Sequence, residues 1–381
     1  MRGRSALPPT RGSAGFASAR PVAVARGLAV VLLTIVMAGW PCDHPLAAAD
    51  TLKAPLRGLI SMGAYKFVPA LGEPDNSLDT VRAKPGLLQG IVILATWRSL
   101  EPTPASGLVD NNEIDQGLAN VRKYNQDYPN APLAVKIRVW GGFWAPDWVM
   151  EDSGGKIPVV HTNFRGVAKD RALGHVWDDK YHWQWAHLQE LLAAKYDSDP
   201  LVHEVAVTSC MMFTAEPFNV DSRPPALDPL RKAGLTDAKY QDCLNKIVDD
   251  YAPWKKARFE TPLNPFKDTD GGKPKHDLDF TLSWIADCRK RGGERCALDN
   301  HNLDVPAKVD HDEQLMYAAM KKSGAEIEFQ TGGASPPDLG AVIGYGVEMG
   351  ATSIELYQDY GGFTQVPDDD LRKYAAMLEH N

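Results

Sequence analysis

The sequence predicts an α/β protein, a single-domain (β/α)8 (TIM) barrel behind an N-terminal leader. Three observations point there. Eight short runs, several of them continuous in Val, Ile and Leu, recur between residues 58 and 356; stretches of helical period fall between them; and no Gly-rich turn follows the first run, where Ile60-Ser61-Met62-Gly63-Ala64-Tyr65 stands. Continuous apolar runs are the signature of parallel strands buried on both faces. Their alternation with helices builds βα units. A doubly wound open sheet would place a Gly-rich turn after its first strand.

The leader comes first. Arg2, Arg4, Arg11, Arg20 and Arg26 precede an apolar run, Gly27–Trp40, and then the small residues Ala47, Ala48 and Ala49. That run is short for a membrane span and suits the core of a secretion signal, with cleavage before Asp50. Residues 1–49 are therefore expected to be a signal peptide, residues 50–381 the barrel, and the location secreted or periplasmic, with no membrane attachment after cleavage. The whole chain of 381 residues carries a formal charge of −8 with 44% hydrophobic and 24% charged residues, ordinary globular values. Removing five Arg and one Asp leaves 36 basic against 48 acidic residues, or −12. That balance argues against a nucleic-acid surface.

The expected strands are Gly58–Met62, Gly90–Thr96, Leu133–Val139, Val202–Thr208, Arg258–Thr261, Ala297–Asn300, Glu326–Gln330 and Ser353–Leu356. The fifth and sixth are the least apolar. Helices are expected over Glu113–Tyr124, with Ile114, Leu118 and Val121 inward; Lys180–Lys195, with Trp183, His187, Leu191 and Ala194 in register; and Thr236–Tyr251, capped by Thr236 or Asp237. Further helices fit Asp279–Cys288, Glu313–Lys322 and Pro337–Met349. Four Cys follow the leader. An even count after a secretion signal permits disulfides. Cys288 and Cys296 flank a polar turn, which would leave Cys210 for Cys243; four buried thiols are the alternative.

In a barrel, chemistry collects at the C-terminal ends of the strands. Those ends carry Trp97-Arg98-Ser99-Leu100-Glu101-Pro102, the Trp-rich loop Arg138–Trp148, Thr214-Ala215-Glu216-Pro217, Asp299-Asn300-His301-Asn302, Glu326-Ile327-Glu328-Phe329 and Ile354-Glu355-Leu356. This set resembles the retaining (β/α)8 glycoside hydrolases of clan A, the group of cellulases, xylanases and trimeric β-galactosidases. Trp97–Pro102 is similar to their W-x-x-x-E-P segment, Glu216-Pro217 to the Glu-Pro of their fourth strand, and Glu328-Phe329 to the Glu of their seventh. The resemblance implies Glu216 as acid/base and Glu328 as nucleophile, with Glu355 and Glu326 as rivals for the second role. Where the family places Asn before the acid/base, this chain has Ala215.

Acetal cleavage needs one carboxyl that donates a proton and one that stays ionised beside the oxocarbenium centre. Around such a pair, Arg98, Arg138, Asn300, His301 and Glu355 are candidates to bind sugar hydroxyls. The indoles of Trp97, Trp140 and Trp144 are candidates to stack on sugar faces. The expected partner is a carbohydrate. No cofactor is expected and no metal assigned, since zinc and nucleotide signatures are missing. Two other readings stay open: a carbohydrate-binding protein on a non-catalytic barrel, favoured by Ala215, and a metal-dependent hydrolase using His301 with Asp299 or Asp304.

Overall fold

The computed structural model describes residues 51–66, 73–104, 106–162, 168–270, 275–332, 338–357, 362–379 and 381. The leader lies outside them. Eight parallel strands close a barrel in chain order: β1 Gly58–Ser61, β2 Gly90–Thr96, β3 Ala134–Trp140, β4 Val202–Ala206, β5 Arg258–Pro262, β6 Cys296–Asp299, β7 Glu326–Gln330 and β8 Ser353–Leu356. The ring shuts where β8 pairs with β1, Ile60 opposite Glu355. All eight expected strands are present, each within a few residues of its expected ends.

Each strand is followed by a helix: α1 Asp79–Arg82, α2 Glu113–Asp127, α3 Asp179–Tyr196, α4 Asp237–Asp250, α5 Leu278–Gly292, α6 His311–Ser323, α7 Leu339–Glu348 and α8 Asp368–Glu379. Local sequence sets their starts. Asn112 accepts from the backbone of Ile114 and Asp115 while Asp115 reaches back to the Asn112 N–H, a capping box that opens α2. Thr236, not Asp237, caps α4 through the Lys239 N–H. Ile114, Leu118, Val121 and Tyr124 bury the inner face of α2.

Helix α3 corrects one expectation. Its inner face is Tyr181, Trp185, Leu188, Leu192 and Tyr196, whereas Trp183 is 68% exposed and stacks on the half-exposed His187. Both stripes have helical spacing, and the deciding factor is Trp97 at the end of β2, which packs edge-on against Tyr181 and Trp185.

Further elements are inserted within the βα units. An antiparallel hairpin, Ile157–Thr162 with Ala168–Leu173, sits between β3 and α3, and a helix, Pro224–Lys232, precedes α4. Disulfides join Cys210 to Cys243 and Cys288 to Cys296. The first fastens the loop after β4 to α4; the second ties the end of α5 to the first residue of β6. Among the described residues no helix is long and apolar enough to cross a membrane.

Candidate active site

Side chains alternate in and out along a strand, so β3 sends Lys136 and Arg138 into the barrel. Both are buried, and the strands around them answer with carboxylates. Lys136 Nζ lies 2.6 Å from Glu328 and 2.9 Å from Glu355, with Glu204 and Glu260 each at 3.6 Å. Arg138 Nη2 reaches Glu355 at 2.8 Å and stands 3.3 Å from His301 Nε2. His301 Nε2 in turn lies 3.0 Å from Asp299. Two cations thus face five carboxylates in a water-excluded interior.

The surroundings drive the titration of these groups apart. Burial pushes Glu204 and Glu260 well above the usual carboxylate range, so both favour the protonated form. Burial also lifts Asp299, to about 6, against the pull of Glu260 and Lys136. Glu355 goes the other way. Burial opposes its charge, but Arg138 and Lys136 together outweigh burial and hold it ionised, down at about 2. Burial and the neighbouring Arg138 lower His301, which keeps its ring neutral.

Above this network opens a polar cavity of about 340 Å³, with Glu216, Asn219, Asn264, Lys267, His301 and Asn302 among its walls. Glu216 sits on the long loop after β4, ten positions beyond its last residue, Ala206. Two side-chain amides hold it: Asn219 Nδ2 donates to one carboxylate oxygen at 3.1 Å and Asn264 Nδ2 to the other at 3.3 Å. The charge of Glu216 is felt at His301 and at Tyr357, just past β8. Just past the strand end, Thr208 Oγ1 donates to the Val139 carbonyl and Ser209 Oγ to Asp250 of α4, so β4 itself contributes no carboxyl there.

The residues expected at the site separate into three groups. Arg138, His301 and Glu355 come together beneath the cavity that Glu216 walls. Glu328 lies deeper. It is level with Ser353, the first residue of β8, while Glu355 is level with Gln330, the last residue of β7. Its partners are Lys136 and Ser353, whose Oγ donates at 2.9 Å, and it has no exposed surface. Glu326 is at the opposite end of β7, paired with Arg57 at 3.4 Å.

The third group holds the mouth together. Trp97 is fully buried, its Nε1 donating to Glu101, and offers a ligand no surface. Arg98 donates to the carbonyls of Phe143, Trp144 and Ala145, pinning the loop after β3. Asn300 is buried between the Leu263 carbonyl and the Tyr317 hydroxyl. Trp144 is stacked on Phe143 and buried; Trp140, edge-on to Trp144, keeps part of its surface open. Sequence reasoning missed Lys136, Glu204 and Glu260. The available signal was parity: a charged residue at the centre of an otherwise apolar strand, in step with the inward positions.

No protein-family model matches the chain, and no curated protein matches it in sequence. Solved structures do resemble it. A cold-adapted β-galactosidase from Rahnella sp. R3 superposes with a TM-score of 0.50 at 12% identity, over 87% of this chain and 57% of that one. A β-galactosidase from Bacillus circulans sp. alkalophilus gives a TM-score of 0.46 at 12% identity, over 79% and 50%. A glycosylated endo-β-1,4-xylanase from Gloeophyllum trabeum gives 0.42 at 12%, over 87% and 99%. The chain spans about half the length of these β-galactosidases. The likeness to the Rahnella enzyme, at this identity, is one of fold alone.

Proposed function

We propose that the chain is a secreted glycoside hydrolase that cleaves O-glycosidic bonds of a poly- or oligosaccharide at the C-terminal mouth of the barrel. Glu216 acts as acid/base, and Glu355 is the carboxylate kept ionised below it. One observation carries this reading. A half-buried carboxyl, oriented by two amides, shares a polar cavity with His301, and directly behind His301 an arginine and a lysine hold Glu355 in its charged form. That gives the two carboxyl roles which acetal hydrolysis requires. Glu355 is preferred to Glu328 because it stands two residues nearer the mouth by strand register. The leader and the two disulfides support secretion, since disulfides persist in oxidising compartments.

The test is Glu216→Gln, Glu355→Gln and Glu328→Gln on purified protein with an aryl-glycoside panel. Glu216→Gln is expected to lower kcat/KM by about 10²- to 10⁴-fold, the usual worth of a positioned acid/base. Glu355→Gln should lose activity while remaining folded. Azide added to Glu216→Ala should restore turnover as a glycosyl azide. Full activity in both the Glu216 and Glu355 variants removes the assignment; loss confined to Glu328→Gln, at unchanged Tm, returns the second role to that residue.

A second reading, carbohydrate binding without catalysis, has one observation in its favour: neither Glu328 nor Glu355 has exposed surface. Calorimetry with the same glycans separates the two, because heat of binding with no product supports the binder.

A further inference from the structure

We propose that Glu260, Asp299 and His301 form a binding site for a divalent transition-metal ion, set in the barrel at the floor of the cavity. One donor atom from each residue lies within 4.8 Å of the other two. His301 Nε2 stands 3.0 Å from Asp299 Oδ2 and 3.9 Å from Glu260 Oε1. Around a single ion with bonds of about 2.0–2.2 Å, neighbouring donors sit roughly 3–3.5 Å apart. The triangle needs only modest contraction to close on an ion.

Hydrogen bonding satisfies the arrangement only in part, through a proton that Glu260 shares with Asp299. Beyond that shared proton, the carboxyl oxygens of Glu260 and Asp299 are buried with no hydrogen-bond donor from another described residue. Buried polar atoms are nearly always paired, and leaving a carboxylate unpaired is costly. The nearby cations do not meet the need. Lys136 Nζ and Arg138 Nη2 stay 3.6 and 4.0 Å from Glu260 Oε2, beyond hydrogen-bond reach, and spend their short contacts on Glu328 and Glu355. A divalent ion would displace the proton shared by Glu260 and Asp299 and give their remaining oxygens a partner. It takes the His301 Nε2 lone pair in place of Arg138, which keeps its contact with Glu355.

The chemistry of the donors selects the ion. One imidazole nitrogen and two carboxylates suit zinc, manganese or cobalt better than calcium, which takes only oxygen. Three protein ligands leave a coordination position open, and His301 lines the cavity through which an ion could enter. Asp304 is not part of the site: it pairs with Lys308 at 3.1 Å, four residues along. Glu260, which sequence reasoning passed over, takes its place. The inference is independent of the glycosidase reading, and its test reads metal rather than turnover.

Full-length secreted chain is stripped with chelator, dialysed against ZnCl2 and assayed by elemental analysis. One zinc per chain is expected, with a raised Tm. Glu260→Gln, Asp299→Asn and His301→Gln should each weaken zinc binding at least tenfold, and Asp304→Asn should not. A wild-type chain that retains no zinc overturns the proposal. So does zinc binding undiminished in both Asp299→Asn and His301→Gln. Should these variants fail to fold, pulsed EPR of the wild-type chain loaded with one Cu²⁺ decides: modulation from a histidine imidazole supports the site, and its absence removes it. A chain that cleaves glycosides but takes up no zinc would leave the proposed function standing and remove this inference alone.

Discussion

The barrel interior has two unlike sectors. On the side of β1 and β2, Ile60, Val92 and Leu94, with Leu56 just before β1, form a small apolar cluster. From β3 round to β8 the inward positions hold Lys136, Arg138, Glu204, Glu260, Asp299, Glu328 and Glu355, all buried. Barrel interiors are commonly filled by layers of branched apolar side chains, and the first sector follows that rule. The second departs from it at a large desolvation cost, which a fold tolerates only where the charges are mutually satisfied or used. The candidate site sits over the polar sector. The difference teaches that the apolar sector closes the cylinder, while the polar one holds the chemistry and is the more fragile.

The strongest way to break that comparison is Lys136→Met. Its ammonium lies within 4 Å of all four of Glu204, Glu260, Glu328 and Glu355. Removing one partner of a buried ion pair costs about 3–5 kcal/mol because the other charge is left uncompensated. Lys136→Met is expected at the upper end of that range, read by urea unfolding near neutral pH. A loss below about 1 kcal/mol would mean that the carboxyls carry protons enough to dispense with the lysine, and the polar sector would be no more fragile than the apolar one.

Much of this division is visible in the sequence once the strands are in place, and its limits are physical. Strands β1 and β2 stand out because their runs are apolar on nearly every position, and β3, β4, β7 and β8 because Val135, Ile137, Val205, Ile327, Phe329, Ile354 and Leu356 keep an apolar face outward. Strands β5 and β6 are faint because they carry almost no Val, Ile or Leu and hold Glu260 and Asp299 inward, where pattern reading expects a hydrophobe. The Pro224–Lys232 helix was not expected, because Pro224, Pro225 and Pro229 look like breakers. Two of them occupy its first turn, where no N–H is needed. At the candidate site, Glu355, Arg138 and His301 were legible as polar residues at or near strand ends, and Glu216 through its Glu-Pro pair, although it stands on the loop beyond β4. The depth of Glu328 was not, because depth depends on the register of β7 against β8, which no local pattern specifies. The backbone partners of Arg98 and Asn300 were hidden for a similar reason: a strand-end polar group serves whichever acceptor the loops bring near.

A smaller effect sharpens the picture of the polar sector through pH. Burial and the charge of Glu328 raise Glu204, Lys136 opposes them, and the Leu56 N–H donates to Glu204 at 2.7 Å. A carboxyl whose folded pKa lies above its unfolded value binds its proton more tightly in the native state. Its contribution is fully present below the unfolded pKa, near 4.3, and is lost as pH rises through the folded value. Glu204→Gln keeps the acceptor for Leu56 and cannot ionise. Wild-type Tm should therefore fall more steeply than that of Glu204→Gln as pH rises from 5 to 9. The difference is limited to about 1.4 kcal/mol per pH unit for one proton. Parallel curves would show that Glu204 is ionised in the native state.

The mildest change belongs to the apolar sector and tests whether shape alone governs it. Ile60→Val removes one methyl group and should cost about 0.5–1.5 kcal/mol, with no change in the pH slope. The methyl it removes is also the one that reserves space for Gly90. A Cβ built on Gly90 would meet Ile60 Cδ1 at 2.9 Å and the Ala134 carbonyl at 3.2 Å. Gly90→Ala is therefore an overpacking change, expected to cost about 1–3 kcal/mol. If the sector is a matter of fit, the two substitutions must be non-additive: in the Gly90→Ala background the shorter valine relieves the closer of the two clashes. The cost of Ile60→Val should then fall toward zero or reverse sign, a coupling of about 0.5 kcal/mol or more in a double-mutant cycle. Strict additivity would place the strain of Gly90→Ala on the Ala134 backbone instead, and the β2–β3 pairing rather than the side-chain cluster would set the tolerance of this sector.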